Sequence, residues 1–416
     1  MFKILNNLTF KRLAENFLAL STIQLLNYIL PLFLIPLLIQ SLGMEGFGIY
    51  SFIFTIAMYG IKFSDYGFDL SATYQISKHK QNKATTNEIF SSVLLIKLGL
   101  SLLFLLFLTI TTLMVEHLYQ YKELIFLSYG MLLGNLLLPL WFFQGIEKMR
   151  FIMYLNALLK LSFFLLVIFY VKSYDNLNLL MLFHSITSII TGILGLFLAI
   201  KYFDIKLQWV SKEKIYFYLK DGWYIFTSKI AVEFYSTSSI IIVGFFVSPL
   251  LLGYYALTIK IILAIGNLFD PLTRVVYPYF IGLYDKTNNG FLTRNKQLSL
   301  LIILLMIPIA ILLFIFSKDI IELITNKEAA TLNIYLLQIA TFMLILIPYG
   351  GQFTNMLVTM KETKALNIIL ITAALINLIF APIVLHFFSV IGMIWLNTFI
   401  TYFLMASKAY WIFKKI

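Results

Sequence analysis

A lysine and a glutamate lie one helical turn apart in an apolar stretch that is long enough to cross a membrane. The stretch, WYIFTSKIAVEFYSTSSIIIVGFF at 223–246, carries Lys229, Glu233, Ser236 and Thr237. At about 100° per residue these polar side chains fall on one helical stripe. Charges are costly in hydrocarbon, and a one-sided polar stripe on a membrane helix faces protein or water. We therefore expect this stripe to line an internal cavity.

Other apolar runs carry polar residues of the same kind. Lys97 lies roughly 10 Å and Lys160 roughly 14 Å from the cytoplasmic ends of their runs, and Lys260 lies roughly 14 Å into its own run, at 1.5 Å per residue. Several deep cations and few equally deep anions predict a positive cavity that attracts an anion, such as phosphate or pyrophosphate. The predicted substrate-binding residues are Lys97, Lys160, Lys229, Lys260, Gln24, Asn27, Tyr28, Tyr235 and Ser236.

Each of these residues also has a simpler explanation. The lysine stems are long enough to snorkel, which would carry the ammonium to the membrane interface, most easily for Lys97 and Lys229. Glu233 is either an ion-pair partner of Lys229 or a protonatable group for ion coupling, a role that Asp270 could also take. The predicted cytoplasmic mouth of the cavity comprises Lys62, Asp65, Asp69 and Arg274.

The composition indicates a multi-pass membrane protein. The 416 residues are 61% hydrophobic and 12% charged, against roughly half and a quarter in soluble domains. A spanning helix needs about 20 mostly apolar residues. By that measure the sequence predicts twelve spans, at 13–39, 46–63, 89–115, 124–143, 151–171, 177–200, 222–247, 251–275, 298–316, 331–357, 365–386 and 390–412.

The basic residues predict the orientation. With both termini in the cytoplasm, the Lys and Arg residues of the loops fall almost entirely on the cytoplasmic side, including Lys408 near the C-terminus. The exceptions are Lys122, Lys172, Lys318 and Lys327. This is the positive-inside bias, and it explains the net charge of +12 without a nucleic-acid partner.

Several chemistries find no support in the sequence. There are no cysteines, the four histidines lack metal-ligand spacing, and no glycine-rich phosphate loop is present. We expect no metal, no cofactor and no catalytic residues. The predicted outer loops are also too short to build a catalytic site such as that of a polysaccharide polymerase.

The chain shows a weak internal repeat. At an offset of 205 residues, GIYSF at 48–52 aligns with GYYAL at 253–257, and Asp65 with Asp270. We predict an N-terminal six-helix lobe at 1–200, a cytoplasmic linker loop at 201–221 and a C-terminal six-helix lobe at 222–416. Parallel repeats of this kind build transporters with the substrate site between the halves.

Prolines interrupt several predicted spans. Pro31 and Pro36 both lie in the first span, and each removes a backbone donor and bends the helix. They are either static kinks, which are common in membrane helices, or gating elements for the cavity.

Three motifs resemble those of the Wzx-type O-antigen flippase family, within the multidrug/oligosaccharidyl-lipid/polysaccharide exporter superfamily. They are SDYGFDLSATYQISKHKQNK at 64–83, LLLPLWFFQGIEKMRFI at 136–152 and SKIAVEFYSTSSIIIVGFF at 228–246. The resemblance implies an all-α protein with twelve spans in two six-helix lobes, forming a V around a central cavity. It also implies that the protein flips an undecaprenyl-pyrophosphate-linked oligosaccharide across the bacterial inner membrane, driven by a proton or sodium gradient.

The resemblance further suggests membrane lipid, a polysaccharide polymerase and a chain-length regulator as partners. The alternative function is a multidrug or cation antiporter of the same fold. That alternative predicts more deep carboxylates than deep lysines, and the sequence has the opposite balance.

Overall fold

In a computed structural model, the structure describes residues 7–269, 284 and 288–415, and the regular secondary structure among them is helical. Within them, side chains are described except at 7–25, 27–29, 32, 235, 236, 269, 288 and 289. The helices are α1 Asn7–Asp65, α2 Ser71–His79, α3 Lys83–Met114, α4 Glu116–Tyr119, α5 Lys122–Leu137, α6 Leu140–Gly145, α7 Met149–Tyr170, α8 Leu177–Phe197, α9 Lys212–Ser236, α10 Ser238–Phe246, α11 Pro249–Gly266, α12 Asn288–Ile315, α13 Ser317–Thr325, α14 Thr331–Leu344, α15 Ile347–Thr359 and α16 Thr363–Lys415.

The described helices confirm a multi-pass membrane protein. Over the described ranges, nine helical segments are long and apolar enough to cross a membrane, and α9 and α10 meet the same criterion together. Two of the helices, α1 and α16, each hold two predicted spans. α1 is interrupted at Gly43, where φ is 73°, and α16 is interrupted at Ser389, where φ is 52°. The count of twelve spans stays a prediction.

Local sequence explains where several helices begin and break. Asn82 caps α3, because its side chain accepts a hydrogen bond from the backbone N–H of Thr85 at 3.1 Å. Pro249 opens α11, where its missing N–H is not needed. Residues 212–221, predicted as part of a linker loop, are helical and continuous with the rest of α9. α9 begins before the predicted span because the tendency of a residue to form a helix does not depend on its hydrophobicity.

The chain divides into two compact units. The first comprises residues 1–42 and 53–230, and the second comprises 43–52 and 231–416. A short piece of α1, residues 43–52, therefore packs with the second unit. The predicted lobes at 1–200 and 222–416 stay a prediction.

The core of the first unit joins two of the sequence motifs. Phe90 of α3 packs against Trp141 of α6, with ring centroids 5.3 Å apart. The Thr73 hydroxyl donates to the Trp141 carbonyl at 3.1 Å, and a Cβ at Gly145 would lie 2.6 Å from Ile76 Cγ2. The motifs at 64–83 and 136–152 thus form one aromatic core, which fixes the end of α1 relative to α3 and α5.

The second unit contains a reciprocal contact between residues that the repeat aligns. A Cβ at Gly48 would lie 2.2 Å from the Pro249 carbonyl oxygen, and a Cβ at Gly253 would lie 2.2 Å from the Met44 carbonyl oxygen. The repeat aligns Met44 with Pro249 and Gly48 with Gly253, because the two residues of each pair are 205 positions apart. Such mutual contact is the pattern that two-fold symmetry produces, so it supports the internal repeat.

Candidate functional site

Lys97 lies in a closed polar triangle in the first unit. Its side chain is 3% exposed, and Nζ lies 2.9 Å from Asp65 Oδ1. Nζ also donates to the backbone carbonyl of Asn135 at 3.0 Å, and the Asn135 amide donates to the same Asp65 oxygen at 2.9 Å. The structure thus brings together a lysine predicted to bind substrate and an aspartate predicted to lie at the cytoplasmic mouth. In this arrangement the lysine charge is neutralised by Asp65.

Lys229 has an analogous partner near the same end of α1. Its ammonium donates to the carboxylate of Asp69, which is 160 positions away in the sequence. Both side chains are more exposed than the Lys97 pair. Tyr66 stacks on Phe226 with ring centroids 4.5 Å apart, and this stacking holds the turn at 66–70 against α9. The turn is made possible by Gly67, where φ is 76° and a Cβ would lie 2.6 Å from Ile225.

Lys260 lies in the second unit among neutral groups. Its Nζ donates to the Ser51 hydroxyl at 3.2 Å. The same atom lies 4.7 Å from the ring centroid of Phe47 and 5.4 Å from that of Tyr50, which is within cation–π range. The described contacts of Lys260 therefore hold the ammonium without a carboxylate.

Glu233 belongs to a polar cluster at the break between α9 and α10. The Thr237 hydroxyl donates to Glu233 Oε2 at 2.7 Å. Nearby, the amide of Asn377 donates to the Phe234 carbonyl at 3.0 Å and to the Ser238 hydroxyl at 3.2 Å. Thr237 thus stabilises the carboxylate locally, while Lys229 is bound to Asp69.

The other predicted residues are not gathered into one described cluster. Lys160 is half-buried on α7, and Lys62 is exposed in the last turn of α1. Pro31 and Pro36 lie inside α1. The predictions that fall outside the described residues or side chains are Gln24, Asn27, Tyr28, Tyr235, Ser236, Asp270 and Arg274.

The sequence analysis was wrong about Lys408, which it grouped with the cytoplasmic loop residues. Lys408 is 2% exposed, and its Nζ donates to the Thr354 hydroxyl at 3.0 Å and to the Gly350 carbonyl at 3.4 Å. Its position near the C-terminus, close to other basic residues, led to the prediction of an exposed loop residue. A signal was present, because Asn397, Thr401 and Lys408 share one face at about 100° per residue.

Family models match most of the chain. A model described as "Polysaccharide biosynthesis protein" matches residues 13–283. The chain belongs to this polysaccharide biosynthesis protein family. A second model, described as "MatE", matches residues 291–383. Membership in the polysaccharide biosynthesis protein family confirms the resemblance found in the motifs.

Two relatives are similar to this member of the family. A protein of Escherichia coli (strain K12) named "Putative O-antigen transporter" is 33% identical over 266 residues. A protein of the same name in Shigella dysenteriae is 27% identical over 269 residues. Each alignment covers 64% of this chain, and they cover 64% and 66% of the two relatives, so the match spans just under two thirds of their length.

Solved structures share the fold of this family member. A structure described as "Lipid II flippase MurJ, inward closed conformation" superposes with a TM-score of 0.76, at 15% identity, over 94% of this chain and 87% of the other. An inward-facing multidrug resistance MATE family transporter of the MOP superfamily gives 0.73 at 15% identity, over 96% and 97%. At this level of identity, the likeness establishes the fold and nothing further.

Proposed function

We propose that the protein flips an undecaprenyl-pyrophosphate-linked O-antigen repeat unit, or that of a related polysaccharide, across the bacterial inner membrane. The observation that carries this proposal is the 33% identity to the E. coli protein named as an O-antigen transporter. The deep lysines support it independently, because a lipid-linked pyrophosphate presents the negative charge that ammonium groups bind.

The proposed architecture has twelve spans in two six-helix lobes that form a V around a central cavity, with both termini in the cytoplasm. The breaks at Gly43 and Ser389 support it, because each divides a long helix into two segments where two spans are predicted. The reciprocal contact of Gly48 and Gly253 supports two related halves. Alternating access between the halves, coupled to an ion gradient, would move the substrate.

Lys260 is the proposed primary anchor for the pyrophosphate. Its described neighbours are a hydroxyl and two aromatic rings, so an incoming anion meets no carboxylate competitor among them. Lys97 and Lys229 are held by Asp65 and Asp69, so a pyrophosphate must displace a carboxylate to reach them. They would therefore contribute only when those ion pairs open.

The remaining roles extend this proposal. Lys160 would add positive charge, and sugars would contact polar side chains of the first and seventh spans, at Gln24, Asn27, Tyr28, Tyr235 and Ser236. Glu233 or Asp270 would carry the coupling ion. Pro31 and Pro36 would allow gating, and Lys62, Asp65, Asp69 and Arg274 would line the cytoplasmic mouth. A polysaccharide polymerase and a chain-length regulator would act on the exported unit.

The direct test is complementation in the source bacterium. A deletion strain should lose surface O-polysaccharide and accumulate lipid-linked units on the cytoplasmic side, and the wild-type gene should restore export. Lys260→Met should fail to restore it at normal protein level, while Lys260→Arg should restore part of it. Full export by Lys260→Met would refute the anchor role, and full export by the deletion strain would refute the function.

A multidrug or cation antiporter is the second candidate. The match of the MatE model to residues 291–383 favours it, together with the shared fold of the multidrug transporter structure. Expression in a drug-sensitive host separates the two functions. Raised drug resistance without restored polysaccharide export would favour the antiporter.

A further inference from the structure

A separate cavity lies inside the second unit. It has a volume of about 400 Å³ and is bounded by residues of α11, α14, α15 and α16, with Val232 of α9. Its polar lining includes Lys408, Thr354, Asn355 and Thr401. A volume in this range is typical of small-ligand sites. No role in the proposed function uses this cavity.

Lys408 places a buried positive charge at the wall of this cavity. The ammonium contacts two neutral acceptors, the Thr354 hydroxyl and the Gly350 carbonyl. Among the described residues that line the cavity, none is Asp or Glu. A buried charge without a counter-charge is strongly destabilising. An anion in the cavity would therefore offset the cost of burying Lys408.

Two hydrogen-bond donors remain for such an anion. An ammonium has three N–H groups, and two acceptors are described for Lys408, so one N–H is left. The Asn355 side-chain amide lines the same cavity and has no partner among the described residues. The hydroxyl protons of Thr354 and Thr401 are already donated to backbone carbonyls, at 2.7 Å and 2.9 Å.

The backbone adds a favourable dipole at this place. The predicted tenth span is interrupted at 345–346, and α15 begins there with Pro348 in its first turn. Ile347 and Gly350 of that first turn line the cavity. The N-terminal end of a helix carries partial positive charge and favours anions. Interrupted membrane helices of this kind form ion sites in other transporters.

We propose that this cavity binds a small monovalent inorganic anion, such as chloride, between Lys408 and Asn355. One positive side chain and two donor groups suit a single negative charge. They do not suit pyrophosphate, whose several oxygens and higher charge need more donors. The site is distinct from Lys260 and does not depend on the proposed function.

Thermal unfolding of the purified full-length protein tests the site. Chloride is titrated against isethionate at constant sodium and constant ionic strength, with tryptophan fluorescence as the readout. A ligand that binds only the folded state raises Tm as its concentration exceeds Kd. We expect chloride at about 100 times its Kd to raise the wild-type Tm by about 3 °C. Bromide should act similarly, and inorganic pyrophosphate at matched ionic strength should not.

Variants locate the effect. Lys408→Met should abolish the chloride-dependent rise, Lys408→Arg should retain part of it, and Asn355→Leu should raise the apparent Kd about tenfold, the loss of one good hydrogen bond to a charged group. Lys414→Met is the matched control, because Lys414 lies in the same helix over the exposed Tyr410 ring. It should keep the full chloride response.

Three results would overturn the proposal. The first is a wild-type Tm that does not depend on chloride. The second is an equal chloride response in the wild type and in both Lys408→Met and Asn355→Leu. The third is rescue of a destabilised Lys408→Met by Asp270→Asn, which would mean that the chain supplies the counter-charge itself. Polysaccharide export is measured separately, so failure of this site leaves the flippase proposal unaffected.

Discussion

Replacing Lys97 with methionine tests whether its triangle with Asp65 and Asn135 stabilises the first unit. Methionine fills a similar volume but removes the ammonium, so the Asp65 carboxylate and the Asn135 carbonyl each lose a donor. The structure predicts that this change is destabilising because Lys97 is buried. If Lys97 were a snorkelling lysine with no fixed partner, the change would be almost neutral.

The size of the effect follows from burial. Removing one member of a fully buried ion pair costs about 3–5 kcal/mol, whereas exposed pairs contribute about 0–1 kcal/mol. The Lys97 side chain is 3% exposed and that of Asp65 is 33% exposed, so water can partly solvate the remaining carboxylate. We expect a loss of about 2 kcal/mol, which corresponds to a fall in Tm of about 2 °C in a protein of this size.

The assay is thermal unfolding of the purified protein in lipid nanodiscs, at fixed pH and salt. The double variant Lys97→Met/Asp65→Asn should recover about half of the loss, because the uncompensated carboxylate is gone. Lys229→Met is the matched control. Its partner Asp69 is 53% exposed and Lys229 itself is 38% exposed, so that change should cost less than about 1 kcal/mol.

Two results would refute this reasoning. One is a Lys97→Met variant that is no less stable than Lys229→Met. The other is additivity of the two single changes, in which the double variant loses as much stability as Lys97→Met and Asp65→Asn lose together. Additive losses would mean that the two groups do not interact.

Three further predictions follow from other parts of the structure. Gly48→Ala should destabilise the second unit by about 1–3 kcal/mol through backbone overlap, while Gly99→Ala, which meets no atom within 4 Å, should be neutral or stabilising; chemical denaturation compares them. The hydrogen bond from Lys415 lowers the pKa of Glu362 below its usual 4.5. The stability that Glu362 adds should therefore be present above pH 4.5 and lost as the pH falls through the lowered pKa. The difference in Tm between the wild type and Glu362→Gln should disappear over the same pH range. Lys260→Met should reduce polysaccharide export at least about tenfold at equal expression, because a tenfold loss corresponds to about 1.4 kcal/mol of substrate interaction. Equal export in Lys260→Met and wild type would contradict the role of Lys260 as the pyrophosphate anchor.

The sequence alone determined the class of the protein. Long apolar runs fix helices in a membrane, because the bilayer leaves no other way to satisfy the backbone. The motifs at 64–83 and 136–152 identified the family, and the 205-residue offset located the two glycines that contact each other. These features are local or periodic, so they can be read without knowledge of the fold.

Tertiary structure decided which charges meet. Helical periodicity shows which face of a helix is polar, but the group opposite that face comes from a distant segment. From the sequence, Glu233 four residues away was one possible partner for Lys229, and the structure binds Lys229 to Asp69. Lys408 looked like a loop cation because of its place near the chain end, and packing of α15 against α16 buried it. The partner of a charge depends on packing between elements, which residue type and spacing do not encode.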